Sequence, residues 1–222
     1  MAARPPHSPE SLDLVARLEP LYTAVVSDHL DRLGYRHQVM RPEIRPLFPE
    51  ARVMGIAFPV LAVPTAFPPE QPYELEMEAV DALQPGDVLL VSPVDVSFWG
   101  ELLSTAARYR GCRGVVLDCY TRDAQAIIQM GFPCFARGIH VADSLGRLEV
   151  VRYDVPIECG GVRVEPGDLV FGDYDGIVVI PRAVAPEVIA RAEEKVRGEN
   201  LVRRHLAEGM PVKEAFRRFG IL

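Results

Sequence analysis

The sequence predicts an α/β fold built on a layer of parallel strands, with a helical extension at its C-terminal end. Two observations carry this. Between positions 88 and 136, short apolar runs alternate with amphipathic stretches of helical length. Glycines then stand where those helices should stop: Gly111 after Gly100 to Arg110, and Gly131 after Arg122 to Met130. A change of character after Leu148, toward closely spaced turns, adds a set of hairpins to the layer.

The elements follow in order. The start is rich in proline and polar residues, so 1–15 is expected as a flexible arm. A helix is expected over about Pro20 to Leu33, with Leu21, Val25, Leu30 and Leu33 on one stripe and Gly34 as its stop. Arg52 to Val63 reads as a strand with a bulge at Gly55. Glu74 to Leu83 reads as a short helix, and Pro85-Gly86-Asp87 turns into the strand Val88 to Val91. Gly114 to Leu117 and Pro133 to Ala136 are buried strands that flank the helix opened by Arg122. Val150 to Ile157 and Val162 to Val164 flank the hairpin signal Gly160-Gly161. Leu169 to Phe171 and Ile177 to Ile180 flank Asp175-Gly176, and helices close the chain over Ala185 to Ala207 and Val212 to Phe219. The main domain is thus expected over 16–182, and 183–222 as C-terminal helices.

Composition narrows the function. Hydrophobic residues make up 49% of the 222 residues and charged ones 25%, as in an ordinary folded domain. The net charge of -7 argues against a nucleic-acid surface, which needs clustered Lys and Arg. The most apolar stretch, Gly55 to Phe67, is broken by Pro59 and Pro64, so no membrane span is expected. The four cysteines form no CxxC pair and are read as reduced, buried thiols of a cytoplasmic protein.

Chemistry gathers at one end of the strands. In open α/β layers, ligands bind beyond the carboxyl ends of strands, where the next helices begin. Asp118 follows the strand Val115-Val116-Leu117; Arg122-Asp123 and Gly100-Glu101 open helices. The free N–H groups of a helix start suit a carboxylate, and a glycine at 100 lets it approach the backbone. For each acid a structural reading stands beside the functional one: Asp118 as a cap or turn residue, Asp123 and Glu101 as partners of the helix dipole. Arg122 is harder to read that way, because an arginine at a helix start opposes the dipole and its planar fork suits a carboxylate or enolate. Asp87, Asp168, Asp173 and Asp175 lie in turns and read as structural. Asp95, in the loop before Trp99, is a weaker candidate.

Gly100-Glu101, twenty residues, then Arg122-Asp123 resembles the signature of class II 4-hydroxy-4-methyl-2-oxoglutarate aldolases of the RraA-like superfamily. Ser27 to Gly34, Pro166 to Val170 and Asp173 to Pro181 resemble the first helix and closing strands of that family, and the likeness runs from about 20 to 220. The resemblance implies a swivelling β/β/α fold in a homotrimer or a hexamer of two trimers, with sites between subunits. It implies that Asp123 ligates Mg²⁺ or Mn²⁺, that Arg122 meets the reacting oxygen, and that the backbone from Gly100 through Leu102 and Leu103 holds the carboxylate of a small 2-oxo acid. Magnesium often takes one or two protein carboxylates and keeps water. Cys119 and Tyr120 depart from the family around Asp118 and are expected to reshape the pocket.

On the long last helix, Ile189, Ala192, Val196, Val202 and Leu206 form a stripe that also carries Glu199. Two readings are open: an edge residue whose head reaches water, or, as in the aldolases, a group serving the site of a neighbouring subunit on which these helices pack. The expected activity is a metal-dependent lyase that cleaves a 4-hydroxy-2-oxo acid to pyruvate, with oxaloacetate decarboxylation beside it and Arg122, Glu101, Glu199 and Asp118 as catalytic candidates. The alternatives are a non-enzymatic regulator that binds an RNase or helicase, and a related lyase acting on a sugar-derived acid.

Overall fold

The structure is a computed structural model that describes residues 4–68 and 70–220. Its helices are α1 (Pro9–Arg17), α2 (Thr23–Arg32), α3 (Glu74–Asp81), α4 (Glu101–Tyr109), α5 (Ala124–Met130), α6 (Ala185–Ala207) and α7 (Val212–Phe219). Its strands are β1 (Arg45–Pro46), β2 (Val53–Pro64), β3 (Asp87–Val91), β4 (Ser97–Trp99), β5 (Gly114–Thr121), β6 (Cys134–Ile139), β7 (Leu148–Tyr153), β8 (Ile157–Cys159), β9 (Val162–Val164), β10 (Leu169–Gly172) and β11 (Ile177–Ile180).

One large sheet runs β1-β6-β5-β3-β2-β10-β11, with β4 against β5 and β7 against β2. The segment β2, β3, β5, β6 is parallel, as the alternation of helices and strands predicts; β10, β11 and β7 add antiparallel edges. A two-stranded hairpin, β8–β9, lies apart from it. Strand periodicity decides which layer each side chain joins. Leu89, Val91, Val115 and Leu117 enter the core beneath the helices α3, α4 and α5, with Val80, Ala107 and Ile127. Their neighbours Val88, Leu90 and Val116 point the other way, onto Cys159, Val162 and Val164 of the hairpin. A third cluster joins α1, α2 and α6 over β10 and β11 through Leu18, Val26, Leu30, Phe171, Val188 and Ile189. This is the β/β/α layering expected, and the C-terminal extension is present as α6 and α7.

Several expectations are corrected. The segment expected as a flexible arm is, in its described part, ordered. Ser8 caps α1, Leu14 and Val15 are buried, and Arg4 and His7 both reach the buried Asp87 carboxylate at 2.7 Å. Ser8-Pro9 before an amphipathic run was the signal for that helix. Gly55 is not at a bulge: a Cβ there would stand 2.5 Å from the Gly86 carbonyl oxygen, so the glycine permits close approach of two backbones. The β2 irregularity lies at Leu61/Ala62. Arg122 and Asp123 precede α5 rather than open it, and β4 was not foreseen. Of the α6 stripe, Ile189 and Ala192, with Val196 against them, pack in one cluster with residues of α1 and α2 of the same chain. The four cysteines are free and buried, as expected.

Candidate active site

The site forms where the ends of β4 and β5 lie side by side. Trp99 is fully buried and fixes this corner: its indole N–H donates to Ser104 Oγ at 2.7 Å, and that hydroxyl donates to the Gly100 carbonyl at 2.9 Å. The Trp99 carbonyl in turn accepts the Arg122 N–H at 2.9 Å and the Thr121 hydroxyl at 3.1 Å. These bonds hold Gly100 against Asp123. The Asp123 Oδ2 accepts the Glu101 N–H at 3.2 Å, and a Cβ on Gly100 would stand 2.8 Å from that oxygen. Gly100 is extended, so the glycine is required by space and not by its dihedral angles. Asp123 itself has φ 55, a left-handed conformation that aspartate tolerates better than most residues.

A cavity of about 290 Å³ opens here, at the small end of ligand sites. One wall carries Gly100, Leu102, Leu103, Arg122 and Asp123. Leu102 and Leu103 lie in the first turn of α4, so their N–H groups have no acceptor within the helix. The opposite wall carries Tyr73, Glu76, Asp143 and Ser144. Arg122 crosses between the walls, with Nη1 3.3 Å from Asp143 Oδ1, and its side chain stays 43% exposed.

The electrostatics of the second wall are unusual. Glu76 is buried, and burial first, then the nearby Asp143 charge, pushes its carboxyl up to about 7, against the pull of Arg122 and the Ser144 hydroxyl. Burial alone would raise the Asp143 carboxyl too, but the Tyr73 hydroxyl, Arg122 and the N–H groups of Ser144 and Leu145 outweigh it and hold it below the usual range. The Tyr73 hydroxyl, which donates to Asp143, is itself pushed up to about 12 by that bond and stays protonated.

The predicted residues therefore divide. Gly100, Leu102, Leu103, Arg122 and Asp123 meet at the cavity; Glu101 does not line it, and its carboxylate accepts the Thr105 hydroxyl at 2.8 Å. Asp118 does not join them. It shares the face of Val116, so its buried carboxylate points at the hairpin, where it accepts the Gly160 N–H at 2.8 Å and pairs with Arg41 at 2.9 Å and Arg137 at 3.4 Å. Tyr120 lies on that face as well, against Arg137 and His140, and does not shape the cavity. Asp95 pairs with Arg137 at 2.8 Å. Glu199 accepts the Tyr22 hydroxyl and sits beside Lys195, tying α6 to α2 of its own chain. Asp173 caps α2 from a distance through the Thr23 N–H and hydroxyl, and Asp87 and Asp168 bind turn N–H groups.

Sequence reasoning missed Tyr73, Glu76 and Asp143. For Glu76 a signal existed: it falls on the stripe of Ala79, Val80 and Leu83, so a carboxylate was due to be buried. Asp143 lies in a loop whose path only the tertiary structure fixes.

Comparisons with known proteins agree with this fold. A protein of Halalkalibacterium halodurans that carries the provisional name 4-hydroxy-4-methyl-2-oxoglutarate aldolase is 28% identical over 94% of this chain and 96% of its own length. A solved structure of an uncharacterized protein from Pseudomonas syringae superposes with a TM-score of 0.82 at 29% identity, over 94% of this chain and 99% of that one. Streptomyces coelicolor RraAS2, described as an unusual member of the RNase ES inhibitor RraA family, superposes with a TM-score of 0.79 at 28% identity, over 91% of this chain and all of that one. The family model RraA-like, described as Aldolase/RraA, matches residues 23–179, more than half of the chain, and the chain belongs to the RraA-like family.

Proposed function

We propose that this protein is a divalent-cation-dependent lyase of the aldolase type, which cleaves a 4-hydroxy-2-oxo acid to pyruvate and also decarboxylates oxaloacetate. The observation that carries this is the meeting of Arg122, Asp123 and the free N–H groups of α4 around one small cavity. Among the described residues no three His, Cys, Asp or Glu side chains gather to cage a metal ion. The donor set instead fits an ion held by the single carboxylate of Asp123, with water and substrate as its other ligands, as Mg²⁺ or Mn²⁺ allows. Such an ion supplies a Lewis acid that draws electrons from a 2-oxo acid.

The chain's own groups do the rest. The Leu102 and Leu103 N–H groups receive the substrate carboxylate. Arg122 lies where negative charge develops on the 2-oxo oxygen as the C3–C4 bond breaks, and its fork stabilises that charge. Glu76, with a carboxyl near 7, is the group suited to accept the 4-hydroxyl proton and return a proton to C3.

The exposed Leu102, Ile139 and Val141 stand beside or near this mouth and suit burial against further copies in a homotrimer or hexamer. The non-enzymatic reading, binding to an RNase, rests on the likeness to RraAS2. Exchange of the pyruvate C3 protons for deuterium, with Mg²⁺ and with chelator, separates the two. Metal-dependent exchange that falls about 10²-fold in Arg122→Lys is expected; no exchange with any divalent ion rejects the lyase.

A further inference from the structure

We infer that Asp143 is a positioning residue of this site: its carboxylate fixes the Arg122 guanidinium at the cavity, and the Tyr73 hydroxyl fixes that carboxylate in turn. What Arg122 does there rests on the lyase reading; what holds it does not.

The need for a holder comes from Arg122 itself. Its backbone is fixed, because its N–H donates to the Trp99 carbonyl at 2.9 Å, but its long side chain is 43% exposed. An arginine side chain carries about 2 kcal/mol of rotamer entropy. A guanidinium that wanders by even an ångström is a poor partner for a charge that develops at one atom. Among the described residues, the Arg122 guanidinium makes one ion pair, to Asp143 Oδ1 at 3.3 Å.

Asp143 can hold Arg122 because it is itself held from several sides. Its other oxygen, Oδ2, accepts the Tyr73 hydroxyl, and the Ser144 and Leu145 N–H groups bond to the same carboxylate. Its carbonyl oxygen accepts a bond from Arg147 Nη1 at 3.0 Å, which ties down the loop after β6. These partners keep the carboxyl below its usual range, so the charge that Arg122 pairs with is present at neutral pH.

Tyr73 supplies an independent observation. It stands just before α3 with φ 61, a left-handed conformation that is rare for a bulky side chain. Among the described residues, three that are not glycine have such a backbone, and two of them, Tyr73 and Asp123, line this cavity. Backbone strain of this kind persists where the surroundings over-determine it, and it gathers at functional sites. Contacts therefore run from a strained Tyr73 through Asp143 to Arg122, and neither Tyr73 nor Asp143 has to touch substrate to serve the reaction.

The test is a double-mutant cycle on the exchange of pyruvate C3 protons, in the full chain with Mg²⁺. Asp143→Asn keeps the shape of the side chain and removes its charge. Its kcat should fall about tenfold while KM moves less than about twofold, as when an interaction of the transition state is lost. On an Arg122→Lys background the same change should cost less than about twofold, because Asp143 acts through Arg122. Tyr73→Phe removes one hydroxyl and serves where Asp143→Asn does not fold. It should cost about threefold alone and add nothing to Asp143→Asn. Labelling of Arg122 by phenylglyoxal, read by peptide mass spectrometry, needs no turnover and should run several-fold faster in both variants. An equal loss with and without Arg122 overturns the inference. So does a loss confined to KM, a gain in kcat from a released Arg122, or unchanged labelling in the folded variants. Absence of exchange in the wild type rejects the lyase reading, and the labelling then judges the positioning by itself.

Discussion

Asp118 and Asp123 lie five positions apart, one inside β5 and one just past its end, and the structure uses them in opposite ways. Asp118 is fully buried, and its carboxylate is shared among Arg41, Arg137 and the Gly160 N–H, so it joins the sheet to the hairpin. The Asp123 carboxylate accepts the Glu101 N–H, and the residue has a left-handed backbone and lines the cavity. Residue type does not separate them, nor does nearness to the motif. What separates them is the number of partners, and the rule that side chains within a strand serve the layers while the loop beyond its carboxyl end serves a ligand.

The sharpest way to break the contrast is to neutralise both acids. Asp123→Asn tolerates the same backbone, so the fold should hold within about 0.5 kcal/mol, while metal-dependent turnover of oxaloacetate falls by more than about 10²-fold. Normal turnover in that variant would return Asp123 to a structural role. Asp118→Ala should do the reverse. It leaves the largely buried Arg137 with only the exposed Asp95 as counter-charge and the buried Gly160 N–H without its acceptor, and urea unfolding should report a loss of about 3 kcal/mol, with kcat of the folded fraction nearly unchanged. A kcat loss as deep as that of Asp123→Asn would place Asp118 in the chemistry.

A third carboxylate sharpens the comparison, because Glu76 is buried like Asp118 yet lines the cavity like Asp123. Its folded carboxyl near 7 lies above its unfolded value, so the folded state binds the extra proton between about 4.5 and 7. Stability from this site is therefore present below the unfolded value and is lost as pH rises through 7. Wild type should lose on the order of 2 kcal/mol relative to Glu76→Gln between pH 5 and 8. Parallel stability curves for the two proteins would show that Glu76 ionises normally. The smallest expected effect is that of Gly100→Ala. The new Cβ meets the end of the Asp123 side chain at 2.8 Å, which can swing aside at little cost to the fold. The displaced carboxylate should cost about tenfold in activity with Tm nearly constant; a large fall in Tm with full activity would mean that the contact is only packing.

How far the site was legible follows the same division. The wall built from Gly100, Leu102, Leu103, Arg122 and Asp123 could be read because each residue adjoins the end of a strand or the start of a helix, and local periodicity locates those ends. The facing wall could not. Tyr73 and Asp143 sit 70 positions apart and meet only because α3 and the loop after β6 fold over the same edge of the sheet. Asp118 misled for a related reason: its position suggested a strand end at Leu117, whereas β5 continues to Thr121 and keeps Asp118 within the sheet.

The sequence by itself determined the parallel α/β layer, the hairpins, the long C-terminal helix and the motif-bearing wall, because these depend on periodicity, turn chemistry and spacing along the chain. Tertiary structure alone decided that the N-terminal segment is clamped on Asp87, that Glu199 of α6 meets Tyr22 at the start of α2, and that Glu76 and Asp143 lie close to Arg122. Those outcomes depend on which distant groups share a buried space, where desolvation and charge at a few ångströms outweigh any local preference.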